Sequence, residues 1–576
     1  MIAVTGLGII SAIGNNVDET LLALRQKKTG IGKIHHLNTR HMELPVGEVN
    51  LSNAEMKQAL GIDVNKIVSR TALMGALAVQ QAIDGANLSK SVFQEKKVVL
   101  VSGTTVGGMD VTEHFFTPTL IDKKFLYSVN KHDVGSCTQE IRDLLGVNCE
   151  ICTISTACSS AANSIIVGCE MLETGEADIV IVGGTEALSK FHLNGFNALM
   201  IFDHNSCKPF DQQRNGLNLG EGAAYLVLEK NKSKAWAYIS GYGNRCDAFH
   251  QTASSAEGKG AFLAMKEALN MSGLAPKQIS YVNAHGTGTP NNDISESRAL
   301  RHVFGDSLPP VSSTKSFTGH TTSASGSIEA VICILAINKQ FVPANLGWKE
   351  QDLSCIVPSQ GENYANLEHV ICNSFGFGGN DSAIVISKHP NEFKRPRKKL
   401  QHFEMVADVE IDGDVSDYAS YIKPAEGRRM SRLLKAAMIT SLRALKEAEV
   451  DCPDAIITAT SYGMMENSEK LLTSLYYQGE ESFSPTLFMQ STHNTISSAV
   501  AIRIGCHGYN ITYSQGNDSL TWALRDAKRL ILTGKAKTVL VGYHDEITPL
   551  FQQALERLGR EIPPKVYSRS MILKAK

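Results

Sequence analysis

Three β-branched runs in this sequence each end on a residue able to do chemistry. Cys158 follows "CTISTA", His285 lies in "QISYVNAHGTGTPNND", and Lys315 and His320 lie in "PPVSSTKSFTGHTTSASGSIEAV", ahead of a helix carrying Glu329. A thiol can be acylated, and an imidazole can accept or donate a proton at neutral pH. In open α/β sheets the carboxyl ends of strands are where such groups meet. Cys158 stands where a strand gives way to Ser159, Ser160, Ala161 and Ala162, small residues that open an amphipathic helix. The positive end of that helix favours thiolate over thiol. Local sequence alone leaves a buried core cysteine equally open, and a lone His is usually a surface or satisfied core residue. Three strand ends that deliver Cys, His and Lys-plus-His into Gly-rich loops are much harder to place in a core.

A fourth segment, "CNSFGFGGNDSA", combines Gly376, Gly378 and Gly379 with the bulk of Phe375 and Phe377. Its spacing is not that of a dinucleotide loop, which needs G-x-G-x-x-G and a following helix, and no P-loop occurs. No cofactor is expected. Cys149 and Cys152 form a C-x-x-C, but no second pair lies at ligand spacing, so strand residues are expected there and no metal.

These residues need a scaffold. The chain has 576 residues, enough for about three to four domain-sized units. Its 43% hydrophobic and 20% charged content is that of a globular protein, and a net charge of -2 gives no general pull towards nucleic acid or an anionic membrane. No apolar run approaches the roughly 20 residues of a membrane span. The start, "MIAVTGLGIISAIGNN", reads as a strand and Gly-rich turn without a basic leader or cleavage site. Twelve cysteines without framework spacing fit reduced thiols. Together these point to the cytoplasm.

Short β-branched runs alternate with helical patterns, as in an α/β layered fold. Helices are expected over Arg70–Gly85, Ser159–Thr174, Gly260–Ser272 and Ile328–Asn338. Residues 390–404, with the basic run Lys394 to Lys399, read as a linker. An internal repeat spans that linker. Gly146–Glu186 aligns without gaps onto Gly505–Asp545 at an offset of 359, with Thr153, Ser155, Ser160, Thr174, Gly175 and Val180 among the positions that meet identical residues. "VSRTALMGALAVQQAIDGANL" meets "MSRLLKAAMITSLRALKEAEV" in the same way. The region after the linker thus repeats about residues 65–190, with nothing answering residues 260–389. In the copy Cys158 falls on Asn517, and a lone His493 reads as structural.

"TACSSA", "NAHGTGTPNND", "KSFTGHTTSASGSIEA", "NSFGFGGNDSA" and "KPFDQQRNGLNLGEGAAYLVLE" resemble the signature blocks of β-ketoacyl-acyl-carrier-protein synthases, condensing enzymes of the thiolase superfamily. The resemblance covers essentially residues 1–389. The two-histidine pattern is similar to the elongating branch, since the initiating branch has Asn for the second His. It implies a thiolase-like layered α-β-α-β-α fold of two pseudo-repeated halves, about 1–230 and 231–389, followed after the linker by a thiolase-like half-domain at 405–576. It further implies an acylated Cys158, with His285 and His320 stabilising the enolate left when malonyl-ACP loses carbon dioxide. Lys315 would tune the charge, and Glu329 would fix the loops. The amides of Cys158 and Phe377 would form the oxyanion hole, with Phe377 and Phe375 at the gate and Val106 lining the acyl tunnel. Preorganised donors to such an anion are each worth about 3 kcal/mol.

The chain departs from the family pattern at Asn380-Asp381, where Thr-Asn is usual, and in "NGLNLGEGA". The partners implied are acyl carrier protein bearing acyl and malonyl groups, and either a pseudo-dimer within the chain or a homodimer. The second part resembles synthase-like domains beside aryl-polyene and flexirubin-type condensing enzymes, and chain length factors. Two alternatives stand beside condensation. One is a non-catalytic, chain-length-determining partner. The other is a Cys-His thioester hydrolase, which would want its base oriented by Asp or Asn.

Overall fold

The computed structural model describes residues 1–363, 366–390, 402–413 and 418–576. Its β-branched runs form three five-stranded units. The first holds β1 (Ile2–Ser11), β2 (Val98–Gly103), β3 (Glu150–Ile154), β4 (Ile179–Glu186) and β5 (Gly222–Lys230), in the order β1-β5-β4-β2-β3. The second holds β6 (Ala237–Cys246), β7 (Tyr281–Asn283), β8 (Val311–Ser312), β9 (His369–Gly376) and β10 (Asn380–Ser387), in the order β6-β10-β9-β7-β8. The third holds β11 (Phe403–Asp412), β12 (Ala455–Ala459), β13 (Tyr509–Tyr513), β14 (Thr538–Glu546) and β15 (Val566–Ala575), in the order β11-β15-β14-β12-β13. The order is the same each time, three parallel strands followed by two antiparallel ones, and β1 of the first unit pairs antiparallel with β6 of the second.

The helices complete the layers. α1 (Arg70–Gly85) covers the outer face of the first sheet, and α2 (Ser160–Thr174) covers its inner face. α3 (Lys259–Ser272) covers the outer face of the second sheet. α4 (Ser325–Lys339) lies beside α2 between the first two sheets, which gives the expected α-β-α-β-α sandwich. Sandwiched helices have no wet face, and α2 buries every residue from Ser160 to Leu172. In the third unit α5 (Arg432–Glu447) repeats α1, down to the N-cap serine: Ser69 accepts the N–H of Ala72, and Ser431 that of Leu434. α6 (Pro485–Met489), α7 (Thr495–Ile504) and α8 (Ser519–Leu532) follow, α8 being the counterpart of α2. No sheet closes over the other side of α8 among the described residues, and Thr521, Lys528 and Leu532 remain exposed.

Several expectations shift. α4 begins at Ser325, a turn before the expected Ile328, because Gly326 lets it press against α2, where a Cβ would lie 2.7 Å from the Ala162 nitrogen. "PPVSSTKS" is extended only at Val311–Ser312 and then coils into a short helix over Lys315–Thr318. The expected linker ends too late: Phe403 and Glu404 already belong to β11, and residues 391–401 lie outside the described residues. The repeat is also longer than sequence identity reveals, since β11 and β15 are the counterparts of β1 and β5.

The third sheet continues the first. β13 runs antiparallel to β3 with Tyr513 opposite Ile154, the Ser155 N–H donates to the Thr512 carbonyl, and the Ser514 N–H to that of Thr153, both at 3.0 Å.

Candidate active site

β3 delivers Cys158 into a single tight turn, Ala157–Ser159, ahead of α2. Ala157 takes a left-handed φ of 50°, a strained conformation for a residue with a Cβ and one that concentrates at functional sites. The small residues around it form a polar cage. Ser160 Oγ accepts the Thr156 N–H at 2.9 Å, and Asn163 Nδ2 donates to Thr156 Oγ1 at 2.8 Å.

The strand ends of the second sheet bring the remaining groups. His320 Nε2 lies 3.1 Å from Cys158 Sγ, and its Nδ1 lies 3.1 Å from Ser325 Oγ, which fixes the ring. His285 meets His320 edge-to-face at 5.3 Å and Phe375 at 5.7 Å. Lys315 and Glu329 form a buried ion pair at 2.5 Å, with side chains 1% and 3% exposed. A cavity of about 400 Å³ opens onto Cys158, His285, His320 and Phe377 and runs out past Thr287 and Asp247. A second space of about 30 Å³ lies on the other side of Cys158, walled by Val106, Phe196, Phe377 and Phe488. The structure therefore gathers Cys158, His285, His320, Lys315, Glu329, Phe375, Phe377 and Val106 around one centre.

The electrostatics correct one expectation. Burial pushes the Cys158 thiol up to about 11, although the Phe377 N–H, Lys315 and its own N–H all favour the anion. Desolvation outweighs the helix terminus, so the resting sulfur is a thiol. Burial first, then Lys315, holds His285 and His320 well below the ordinary imidazole range, so both are neutral. Burial raises Glu329 to about 7 against the pull of Lys315.

Sequence reasoning missed three supports. Glu296 accepts the backbone N–H groups of His285 and Gly286 at 2.9 and 2.8 Å and so shapes the first histidine loop; its only signal is an acid on the helix after "HGTGTP". Glu186 accepts from Thr104 Oγ1, the Thr105 N–H and Ser323 Oγ and ties the first unit to the second. The third unit also reaches in. Asn494 Nδ2 donates to the Phe377 carbonyl at 2.9 Å and to Asn380 Oδ1 at 2.7 Å. Gly378 has φ 87°, and a Cβ there would lie 2.0 Å from Ser498 Oγ. The departure at Asn380 now has a cause: its amide donates to the carbonyl of Asn510 in β13 at 3.0 Å.

Residues 1–234 match the family described as Beta-ketoacyl synthase, N-terminal domain, and residues 236–349 match Beta-ketoacyl synthase, C-terminal domain. The 3-oxoacyl-[acyl-carrier-protein] synthase 2 of Synechocystis sp. is 33% identical over 412 residues, which cover 67% of this chain and 98% of that protein. The chain belongs to the β-ketoacyl synthase family. Residues 407–575 match a Beta-ketoacyl synthase N-terminal domain a second time. Among solved structures, the ishigamide ketosynthase/chain length factor is 28% identical with a TM-score of 0.63, covering 68% of this chain and 99% of that one. The PfaC Keto synthase-Chain length factor shares the fold over 100% of this chain and 78% of its own, with a TM-score of 0.81 and 16% identity.

The second synthase-like unit repeats the scaffold of the first. Asp545 accepts from Thr460 Oγ1 and the Ser461 N–H, as Glu186 does from Thr104 and Thr105, while Asn517 stands in the nucleophile's place. His493 packs beneath Gly463, where burial pushes it down to about 3.

Proposed function

We propose that residues 1–389 catalyse decarboxylative Claisen condensation of an acyl group held on Cys158 with malonyl-ACP. The carrying observation is the thiol 3.1 Å from His320 Nε2 with a second neutral imidazole 5.3 Å away, all facing one cavity. In the first half-reaction the Cys158 proton passes to His320, the thiolate attacks the acyl-ACP thioester carbonyl, and the carrier thiol leaves with that proton. Malonyl-ACP then occupies the cavity. Its carboxylate departs as carbon dioxide, and the N–H groups of His285 and His320 receive the enolate charge; the Ser325 hydroxyl can serve either tautomer of His320. The enolate carbon attacks the acyl-Cys158 carbonyl, the N–H groups of Cys158 and Phe377 hold the oxyanion, and collapse releases the β-ketoacyl carrier and the Cys158 thiolate, which takes a proton from solvent to restore the thiol. Burial, helped by Lys315 held against Glu329, keeps both imidazoles neutral.

The unit from Phe403 onward serves as a silent partner within the chain, a pseudo-dimer mate whose Phe488 and Thr492 help close the space beside Val106 where a growing acyl chain would lie. That arrangement favours polyene-type or other specialised acyl carriers over ordinary saturated ones, in the reducing cytosol. Intact-mass measurement after exposure to acyl-ACP tests the reading. A stable adduct on the wild-type chain, absent from Cys158→Ala, is expected. No adduct would assign the chain a non-catalytic role, and turnover to free acid would make it a hydrolase. Elongation of fatty-acyl, polyenoyl and aryl-primed carriers in parallel tests the substrate class.

A further inference from the structure

The junction of β3 and β13 lies on an approximate two-fold axis, and the offset of 359 identifies equivalent positions. Ile154 and Tyr513 are equivalent and stand opposite one another, and the two backbone hydrogen bonds flanking them exchange under the axis. Glu170 in α2 and Arg529 in α8 are equivalent as well, and they touch at 3.3 Å with side chains 4% and 2% exposed. Glu176 and Lys535 are the next equivalent pair. Arg529 reaches Glu176 at 3.2 Å, and Lys535 reaches Glu170 at 2.6 Å, two contacts the same axis relates. At the rim Arg525 meets Glu150 at 2.9 Å. In each of these contacts the acid belongs to the first unit and the base to the third. Burial pushes the Glu170 carboxyl up, yet Lys535 and Arg529 together hold it below the usual carboxylate range.

In a symmetric pair, a residue on the axis meets its own copy. Two copies of the first unit joined through β3 would bury Glu170 against Glu170 with both Glu176 side chains beside them. Two copies of the third would gather both Arg529 and both Lys535 side chains, with only the buried Asp526, 2.6 Å from Arg529 in the same helix, to offset them. A buried charge without its partner is strongly destabilising, and a like charge in its place is worse. One first unit against one third unit sets the acids Glu170 and Glu176 against the bases Arg529 and Lys535.

We propose that the quartet Glu170, Glu176, Arg529 and Lys535 is the recognition element of this surface: it selects the third unit as partner of β3 and refuses a second copy of the chain there. This rests on the third unit acting as the internal mate, but it does not depend on which reaction Cys158 performs. The surface therefore fits a partner that is basic at the positions where the first unit is acidic.

A double-mutant cycle on the full chain tests it. Glu170→Gln and Arg529→Gln are each expected to lower Tm by on the order of 10 °C, and the double variant by clearly less than the sum. Should those variants fail to fold, Lys535→Glu, at a side chain about one-third exposed, must lower Tm more than Lys535→Gln does. Ile154→Cys, oxidised in the full-length protein, is expected to give no disulfide-linked dimer. Additive losses in the cycle, equal effects of the two Lys535 variants, or a dimer linked through the thiol introduced by Ile154→Cys would each overturn the proposal. Wild-type acylation of Cys158, measured alongside, reports separately on the condensation reading.

Discussion

α2 and α8 are one helix written twice, and they differ because of what lies above them. α2 sits between two sheets and is buried on every side from Ser160 to Leu172, with Cys169 and Val167 fully buried. At the same positions α8 carries Lys528, exposed because α8 covers a single sheet, and Asp526, fully buried 2.6 Å from Arg529 and accepting from the Tyr509 hydroxyl at 3.0 Å. α8 is thus amphipathic where α2 is buried, and among the described residues no second sheet with strand ends carrying two histidines and a lysine faces it. A thiol at position 517 would have had nothing to work with.

That contrast can be broken in order of effect. Adding Asn517→Cys to Cys158→Ala is expected to restore none of the condensing activity, which Cys158→Ala itself lowers by on the order of 10⁴-fold or more. Detectable turnover in a carrier-elongation assay would mean that the third unit retains more of a site than its scaffold. Next comes the helix exchange. Cys169→Lys buries an ammonium with no prepared partner and is expected to cost at least about 3 kcal/mol in denaturant unfolding. The reverse change, Lys528→Cys, at an exposed position, should stay within about 0.5 kcal/mol. Similar costs for the two would show that α8 is as enclosed as α2.

The first unit's thiol offers a pH test. Because burial raises Cys158 to about 11, its thiolate fraction grows with pH until that value is reached. Alkylation of Cys158 by iodoacetamide should therefore rise about tenfold per unit from pH 7 to about 10. A plateau below pH 8 would show that the helix terminus dominates after all. The smallest effect concerns the bridge between the units. Asn494→Ala removes the donor to the Phe377 carbonyl and is expected to lower kcat about tenfold, the scale of one hydrogen bond to a positioned group, with KM little changed. Unchanged kcat would confine Asn494 to packing.

Much of the site was legible because strand ends and loops carry their chemistry in residue type: Cys158, His285, Lys315, His320 and the Phe-Gly loop can be read one after another. Glu296, Glu186 and Ser325 could not be, since a carboxylate that holds backbone amides, or a hydroxyl that holds an imidazole, looks like any helix or strand polar group until the fold brings its partner to it. The outer strands β11 and β15 were hidden for a related reason: their residues match β1 and β5 in place but hardly in identity, as pairing at an edge constrains alternation more than side-chain type.

The sequence by itself determined the repeat, its offset, the asparagine at the position equivalent to Cys158 and the residues able to react. Tertiary structure alone decided the protonation of Cys158, because desolvation depends on everything packed around the sulfur. It also decided that Glu170 faces Arg529 and that Asn494 reaches Phe377. Those pairs lie 359 and 117 residues apart and meet because β3 and β13 share one ladder across an axis that no local pattern encodes.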